Sequence, residues 1–431
     1  MKTAEILKSG LFLILVLTFS VSTVSASDSF FEKKQTQNDD SFKTFQGKIV
    51  DAGSLQPLIF ASVRIQGSNI ATVSNTQGEF SIKVPQQYLN NKIKISHLGY
   101  ENLILSISDL KGNKINLLKL PIISVNLTEV KIFPHNPRQL IEKVLAMRDD
   151  NYSNEPVIMT AFYRETIKKR RSYIALSEAV VEVYKQAYNN ERNDLVRLSK
   201  GRKSTDVEKM DTLLFKLQGG PYSTLVLDVV KDPYLILSDD MLEYYTYSFV
   251  NITRVDSRLN YIIEFKQRPQ ISTPLFYGRF YIDVNSFAIT SVSFNLNTEN
   301  EKEASAMFIR RKPMGVNVVP TTATYLVNYT QKDGKWYYNY SRGEVEFKVK
   351  WKKRLFSNTF NTMVEMAVTD WKPADQRPFK ASDRLRMNVV MSETVNGFAD
   401  TDFWGEYNTI EPEQSIESAI KKIKKNIEKD K

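Results

Sequence analysis

The sequence predicts a mainly β protein in which a small β-sandwich precedes a large, curved antiparallel sheet with a few flanking helices. Three observations carry this. Short stretches with every second residue apolar recur across residues 45–132, each closed by a turn signal. Longer alternating stretches then follow one another across residues 159–371, leaving little room for helices. Helical periodicity is clear in only two places, after Asn136 and after Ser415.

Residues 1–26 have the form of a secretory signal. Lys2 and Lys8 give the positive start, residues 11–19 are apolar except for Thr18, and Val24-Ser25-Ala26 is a small-residue cleavage site. The run is shorter than the roughly twenty apolar residues a membrane span requires, so cleavage is expected, and no later run is long enough for a transmembrane helix in the mature chain. No cysteine follows the site, which argues against lipoprotein attachment. Cleavage would leave 405 of 431 residues, enough for two or three domains with real cores. With no cysteine anywhere, stability has to come from packing. The net charge of +10 falls to +9 once Lys2, Glu5 and Lys8 are removed. Export makes nucleic acid an unsuitable partner. Anionic lipid, polyanionic glycan or an envelope protein fits this balance, as does a charge that serves solubility alone.

Residues 27–44 are polar and charged and read as a flexible leader. The sandwich is assigned to residues 45–132. Val63 and Ile65 alternate with Arg64 and Gln66, and Phe80, Ile82 and Val84 repeat that period after Gln77-Gly78, where glycine accepts the positive φ of a tight turn. Ile93 and Ile95 form another such strand. The order Gln46-Gly47-Lys48-Ile49-Val50-Asp51, Pro57-Leu58, Ala61-Ser62-Val63, Asn75-Thr76-Gln77-Gly78-Glu79-Phe80, His97-Leu98-Gly99-Tyr100, with Leu127-Thr128-Glu129-Val130 as the exit, resembles the carboxypeptidase regulatory-like domain of exported Bacteroidetes proteins. That resemblance implies a seven-stranded transthyretin-like sandwich without peptidase activity.

Residues 133–412 are assigned to the curved sheet domain. Asn136 caps a helix with Pro137 at its first position, and Leu140, Ile141, Val144 and Leu145 make one apolar stripe. Strands are expected at residues 159–167, 173–184, 244–255, 261–267, 276–284, 288–296, 322–330, 336–350 and 359–371. Gly219-Gly220-Pro221 opens a short helix, and Lys332-Asp333-Gly334-Lys335 marks a hairpin. Asn136-Pro137-Arg138, Phe162-Tyr163-Arg164-Glu165, Ser177-Glu178-Ala179-Val180 and Gly278-Arg279-Phe280-Tyr281-Ile282-Asp283 resemble the periplasmic part of a poorly characterised outer-membrane-associated Bacteroidetes family. In that family the sandwich precedes a sheet similar to the lipoprotein carrier LolA, and many members end in a barrel. This chain instead finishes, over residues 413–431, in a basic helix with Ile416, Ile420, Ile423 and Ile427 on one face. That face can dock on the parent sheet or lie on a membrane or partner.

The chemistry-bearing residues are sparse. Neither His97 nor His135 is followed by the glutamate of a zinc-peptidase pair, and there is no Gly-x-Ser-x-Gly elbow or phosphate-cradling glycine loop, so no catalytic, metal or cofactor residues are assigned and no cofactor is expected. Glu165, Glu178 and Glu182 on neighbouring strands leave open a carboxylate pair for glycan chemistry if they share a face. Three basic turns punctuate strands: Lys168, Lys169, Arg170 and Arg171; Arg310-Arg311-Lys312; and Lys350, Trp351, Lys352, Lys353 and Arg354. The first and last are the candidate membrane or anion contacts, because an amphipathic ring flanked by cations suits a lipid headgroup layer. Tyr244, Tyr245, Tyr247, Tyr337, Tyr338 and Tyr340 can line a groove or fill a core. Together these features predict a non-enzymatic binding or scaffolding protein, exported to the periplasm and peripheral to the outer membrane, with a lipid or lipid-linked ligand in the concave sheet. An adaptor for envelope proteins and a glycan-acting enzyme are the alternatives.

Overall fold

Alternating burial divides the chain between two main cores. The computed structural model describes residues 15–16, 41–123, 136–170, 172–205, 216–310, 312–352, 355–374, 379–397 and 403–413. The export signal lies outside these residues except for Leu15–Val16, which pair antiparallel with Lys216–Leu217. The basic terminal helix lies outside them apart from Glu413.

The sandwich begins with β1 (Phe42–Asp51), so the last three residues assigned to the leader are already strand. It continues through β2 (Ser62–Ile65), β3 (Ala71–Val73), β4 (Glu79–Pro85), β5 (Lys92–Ser96), β6 (Leu103–Ser106) and β7 (Asn116–Leu120). A three-stranded sheet, β4-β1-β7, faces a four-stranded one, β3-β2-β5-β6. Phe80, Ile82 and Val84 point into the same core as Ile49, Val63, Ile65, Ile93 and Ile95, as the period-two pattern requires. Burying each such side chain is worth about 1.5–3 kcal/mol. Gly78 sits at φ +75°, where an added Cβ would come within 2.5 Å of the Ile49 carbonyl oxygen.

The second domain opens with α1 (Pro137–Ala146). The Asn136 side chain accepts from the N–H groups of Arg138 and Gln139, and Leu140, Ile141 and Val144 are buried. One sheet dominates the rest: β8 (Val157–Lys169), β9 (Ser172–Lys185), β10 (Leu195–Thr205), β11 (Tyr245–Val255), β12 (Arg258–Gln267), β13 (Phe276–Asp283), β14 (Ile289–Leu296), β15 (Val316–Lys332), β16 (Lys335–Trp351), β17 (Asn358–Pro373) and the short β18 (Asn396–Gly397). Their order is β11-β12-β13-β14-β15-β16-β17-β8-β9-β10-β18, antiparallel throughout except for the β10–β18 pair. Asp333 and Gly334 both take positive φ between the paired Lys332 and Lys335, giving the two-residue hairpin that matches strand twist. Arg170 takes the same sign at the β8–β9 turn.

Two elements were not evident from sequence periodicity: β10 is polar along much of its length, and α2 (Glu301–Phe308) is short. The strand expected from Thr322, β15, starts earlier, at Val316. Pro320 lies inside β15, where a register shift between Pro320 and Thr322 relaxes the pairing that proline would otherwise break.

The space over one face of the sheet is filled. Residues 217–242 run across it, and Leu227, Val229, Ile236 and Leu237, each at most 2% exposed, join Ile263, Phe265, Phe280, Val292 and Met366 in one core. Tyr245 and Tyr338 also belong to this core. A ligand bedded directly on this face would have to displace packed protein. The opposite face receives the sandwich and residues 403–413.

Candidate functional site

The seam between the domains begins with a row of charges. Arg342, Glu365, Arg164, Glu178 and Arg202 stand opposite one another on β16, β17, β8, β9 and β10, alternating in sign. Arg164 Nε lies 2.8 Å from Glu178 Oε1, and its Nη1 lies 3.3 Å from Glu365 Oε1. Its Nη2 donates to the Ile410 carbonyl at 2.8 Å, tying residues 403–413 to the sheet. Arg202 takes the other Glu178 oxygen at 2.8 Å, and Arg342 takes Glu365 Oε2 at 3.3 Å. Burial alone would raise the Glu178 carboxyl, but Arg164 and Arg202 hold it below the ordinary carboxylate range.

Apolar and hydrogen-bonded contacts flank this row. Phe60 of the sandwich stacks on Tyr340 (centroids 5.4 Å apart), and Trp404 meets Phe162 edge-on at 5.4 Å. Val73, Val180, Ala367 and Ile410 complete the cluster. The Thr72 hydroxyl donates to the Thr409 carbonyl, Asn75 Nδ2 to the Glu411 carbonyl and the Thr76 hydroxyl to Glu413. Lys94 pairs with Asp256, and the Gly99 N–H donates to the Arg254 carbonyl. Residues 403–413 therefore lie as a strap between sandwich and sheet.

Beside the seam is a cleft of about 350 Å³ walled by both domains. Ile59, Phe60, Val73 and Leu98 come from the sandwich; Val255 and Leu326 face them from the sheet. Ser62, Ser96, Ser291, Ser293, Asn328 and Asn339 add hydroxyl and amide groups. His97, also in the wall, is held through Nε2 against the Ile59 carbonyl (3.1 Å), and burial lowers its pKa, favouring the neutral ring. Phe60 takes φ +61°, an uncommon conformation for a bulky residue, which the stack on Tyr340 helps to hold. Asp256, paired with Lys94, also lines the cleft, and the composition suits an apolar group joined to a polar, hydroxyl-bearing one.

The carboxylates do not combine into a pair. Glu165 faces the filled core, whereas Glu178 and Glu182 share the other face of the sheet, four residues apart along β9 and each held by arginine rather than free to act as a pair. Glu165 accepts from the Tyr163 hydroxyl at 2.8 Å, and burial pushes its carboxyl up to about 7 against the pull of its hydrogen bonds. Glu182 pairs with Arg197. On the core side, Lys185 Nζ lies 2.7 Å from both Asp194 and Asp228, while the Tyr329 hydroxyl donates to Asp228 at 2.8 Å. This buried knot fastens residues 217–242 to the sheet. Charged residues phased with inward apolar ones, such as Arg164 two positions from Phe162, are the sequence signal for such networks.

The predicted basic turns come together at one rim. Lys168 lies 4.0 Å from Glu413 and over the Tyr173 ring, Lys169 ends β8, and Arg170 is exposed. Lys350 and Lys352 are exposed, and Trp351 between them is half-buried and packs against the core of the sheet. Arg171, Lys353 and Arg354 lie outside the described residues. Among the described residues, no three His, Cys, Asp or Glu side chains are grouped to hold a metal, and no helix is long and apolar enough to cross a membrane.

No curated protein sequence matches the chain. Solved structures similar to it include a domain described as an outer membrane lipoprotein-sorting protein from Vibrio parahaemolyticus, at 11% identity, covering 57% of this chain and 95% of that one with a TM-score of 0.25. A DUF1329 family protein from Desulfovibrio piger gives 12% identity, coverages of 57% and 99%, and a TM-score of 0.23. Lipovitellin gives 7% identity, coverages of 58% and 28%, and a TM-score of 0.26. These superpositions are too weak to bear on function. Residues 45–132, which include the sandwich wall of the cleft, match the family model described as the CarboxypepD_reg-like domain.

Proposed function

We propose that this is a non-enzymatic binding protein of the periplasm, peripheral to the outer membrane, that holds a lipid-linked ligand between its two domains. The observation that carries this reading is the cleft, built from both domains and lined by apolar side chains with hydroxyl and amide groups among them. Its volume falls within the range of small-molecule sites, about 300–1,000 Å³. Because the core fills the face of the sheet, the seam rather than that face is the ligand position this reading takes. The carboxylates at the seam are held by arginines, which leaves them poorly suited to proton transfer. Native mass spectrometry of gently isolated protein is expected to find a lipid-linked molecule bound, and Ser293→Trp, which fills the cleft, to release it. Ligand-free spectra, or a ligand retained by that variant, would count against the proposal.

An adaptor role is favoured by a separate observation. Ile115, Leu117 and Ile122, on and beside the edge strand β7, are more than half exposed, and an open edge offers backbone hydrogen bonds to a partner strand. Crosslinking from Leu117 in intact cells is expected to capture an envelope protein under this reading; crosslinks spread equally over unrelated surface positions would argue against it.

A further inference from the structure

Three loops meet at one rim of the large sheet. The Arg170 N–H donates to the Thr359 carbonyl at 2.9 Å, joining the β8–β9 turn to the start of β17. The Lys352 N–H donates to the Gly315 carbonyl at 2.8 Å, and Val316 pairs with Trp351, joining the loop before β15 to the end of β16. Lys352 and Thr359, on either side of Leu355 and Phe356, therefore each touch one of the other two loops. Arg170, Arg310, Lys312, Lys350 and Lys352 are all exposed here. Glu413, the acidic side chain paired with Lys168, is also held by the Thr76 and Tyr173 hydroxyls.

The same rim carries the three most exposed large apolar side chains among the described residues: Met314 at 102%, Leu355 at 91% and Phe356 at 80%. A turn that only faces water accounts for the cations. It does not account for three bare apolar side chains on two neighbouring loops of a cationic rim. A bilayer with anionic headgroups satisfies both, because its phosphates take the cations while the apolar tips leave water for the headgroup–acyl boundary.

We propose that this rim docks on an anionic phospholipid surface, with Met314, Leu355 and Phe356 inserted at the interface and the surrounding lysines and arginines at headgroup level. The proposal deepens the reading of a membrane-peripheral envelope protein and does not depend on the ligand cleft. The cleft residue Leu326 stands about ten residues further along β15 than Val316, roughly 30 Å of strand.

The absence of cysteine allows a single label. Leu355→Cys, and Ser382→Cys as an exposed control, would each carry an environment-sensitive fluorophore in otherwise unaltered protein. With vesicles of phosphatidylcholine and phosphatidylglycerol, emission from position 355 is expected to shift to the blue while the control stays unchanged; vesicles of phosphatidylcholine alone should leave both unchanged. Combining Arg170→Glu, Lys350→Glu and Lys352→Glu should weaken partitioning at least about tenfold, as should raised salt. Met314→Ser with Phe356→Ser should weaken it while preserving the salt dependence. Equal binding to neutral vesicles, no binding, or indifference to charge reversal would overturn the proposal. The cleft reading fails on a different result, ligand-free native spectra, so the two can be judged apart.

Discussion

Arg164 and Glu178 face each other across β8 and β9, Nε to Oε1 at 2.8 Å, with both side chains at most 2% exposed. Each also serves a second ion of opposite sign, Glu365 for the arginine and Arg202 for the glutamate. The pair is thus the centre of a buried row whose members compensate one another, and the desolvation each suffers is offset only while its neighbours remain.

Arg164→Met should therefore be severe. It leaves Glu178 and Glu365 each short of a cation and frees the Ile410 carbonyl that Arg164 holds. The expected loss is about 3–5 kcal/mol in urea unfolding. A loss below about 1 kcal/mol would show that the row is hydrated or readily rearranged.

Glu165 sets a pH dependence of the opposite kind. Its folded carboxyl sits at about 7 against an ordinary 4.5, so the native state favours the neutral form. Below the ordinary value both states are protonated and its full contribution is present. As pH rises from there toward 7 the unfolded chain ionises first and stability falls, by a total on the order of 3 kcal/mol. Glu165→Gln should remove this decline, raising stability at pH 8 relative to the parent with little gain at pH 4. Parallel pH profiles for the two proteins would refute this assignment.

Two glycines separate backbone cost from steric cost. Gly334→Ala meets no atom within 4 Å and should lose only the positive-φ term, about 1–2 kcal/mol. Gly78→Ala carries that term and also drives Cβ to within 2.5 Å of the Ile49 oxygen, so it should cost distinctly more. Thermal melts of the two variants test the order; the reverse ranking would contradict the geometry.

The strap can be probed at Trp404, which packs against Phe162 and the Arg202 guanidinium. Trp404→Ala should destabilise by roughly 3 kcal/mol and loosen the sandwich from the sheet. Calorimetry should then resolve two transitions where the parent gives one. A single, merely lowered transition would mean that the remaining contacts hold the domains together unaided.

Much of this architecture was legible because local rules and tertiary packing agree. Asn136-Pro137 caps its helix, Asp333-Gly334 turns its hairpin, and Phe80, Ile82 and Val84 bury the face their period implies. The sites were less legible because they depend on register. Whether Glu165 and Glu178 share a face follows from Glu165 pairing with Ser177, which a single strand does not reveal. The cleft needs two domains brought together, and Met314 becomes informative only beside Leu355 and Phe356. Composition alone places Trp351 among cations, and only the phase of its strand shows that the ring also packs, half-buried, against the core.

The strap's position in the chain also bears on how the molecule is assembled. Thr72, Asn75 and Thr76 close onto residues more than three hundred positions later. In synthesis that proceeds from the N-terminus, the sandwich can finish its own core long before the strap emerges. Latching the two halves thus becomes a late step of maturation, and a chain cut short before residue 403 would keep a folded head with no clasp to hold it.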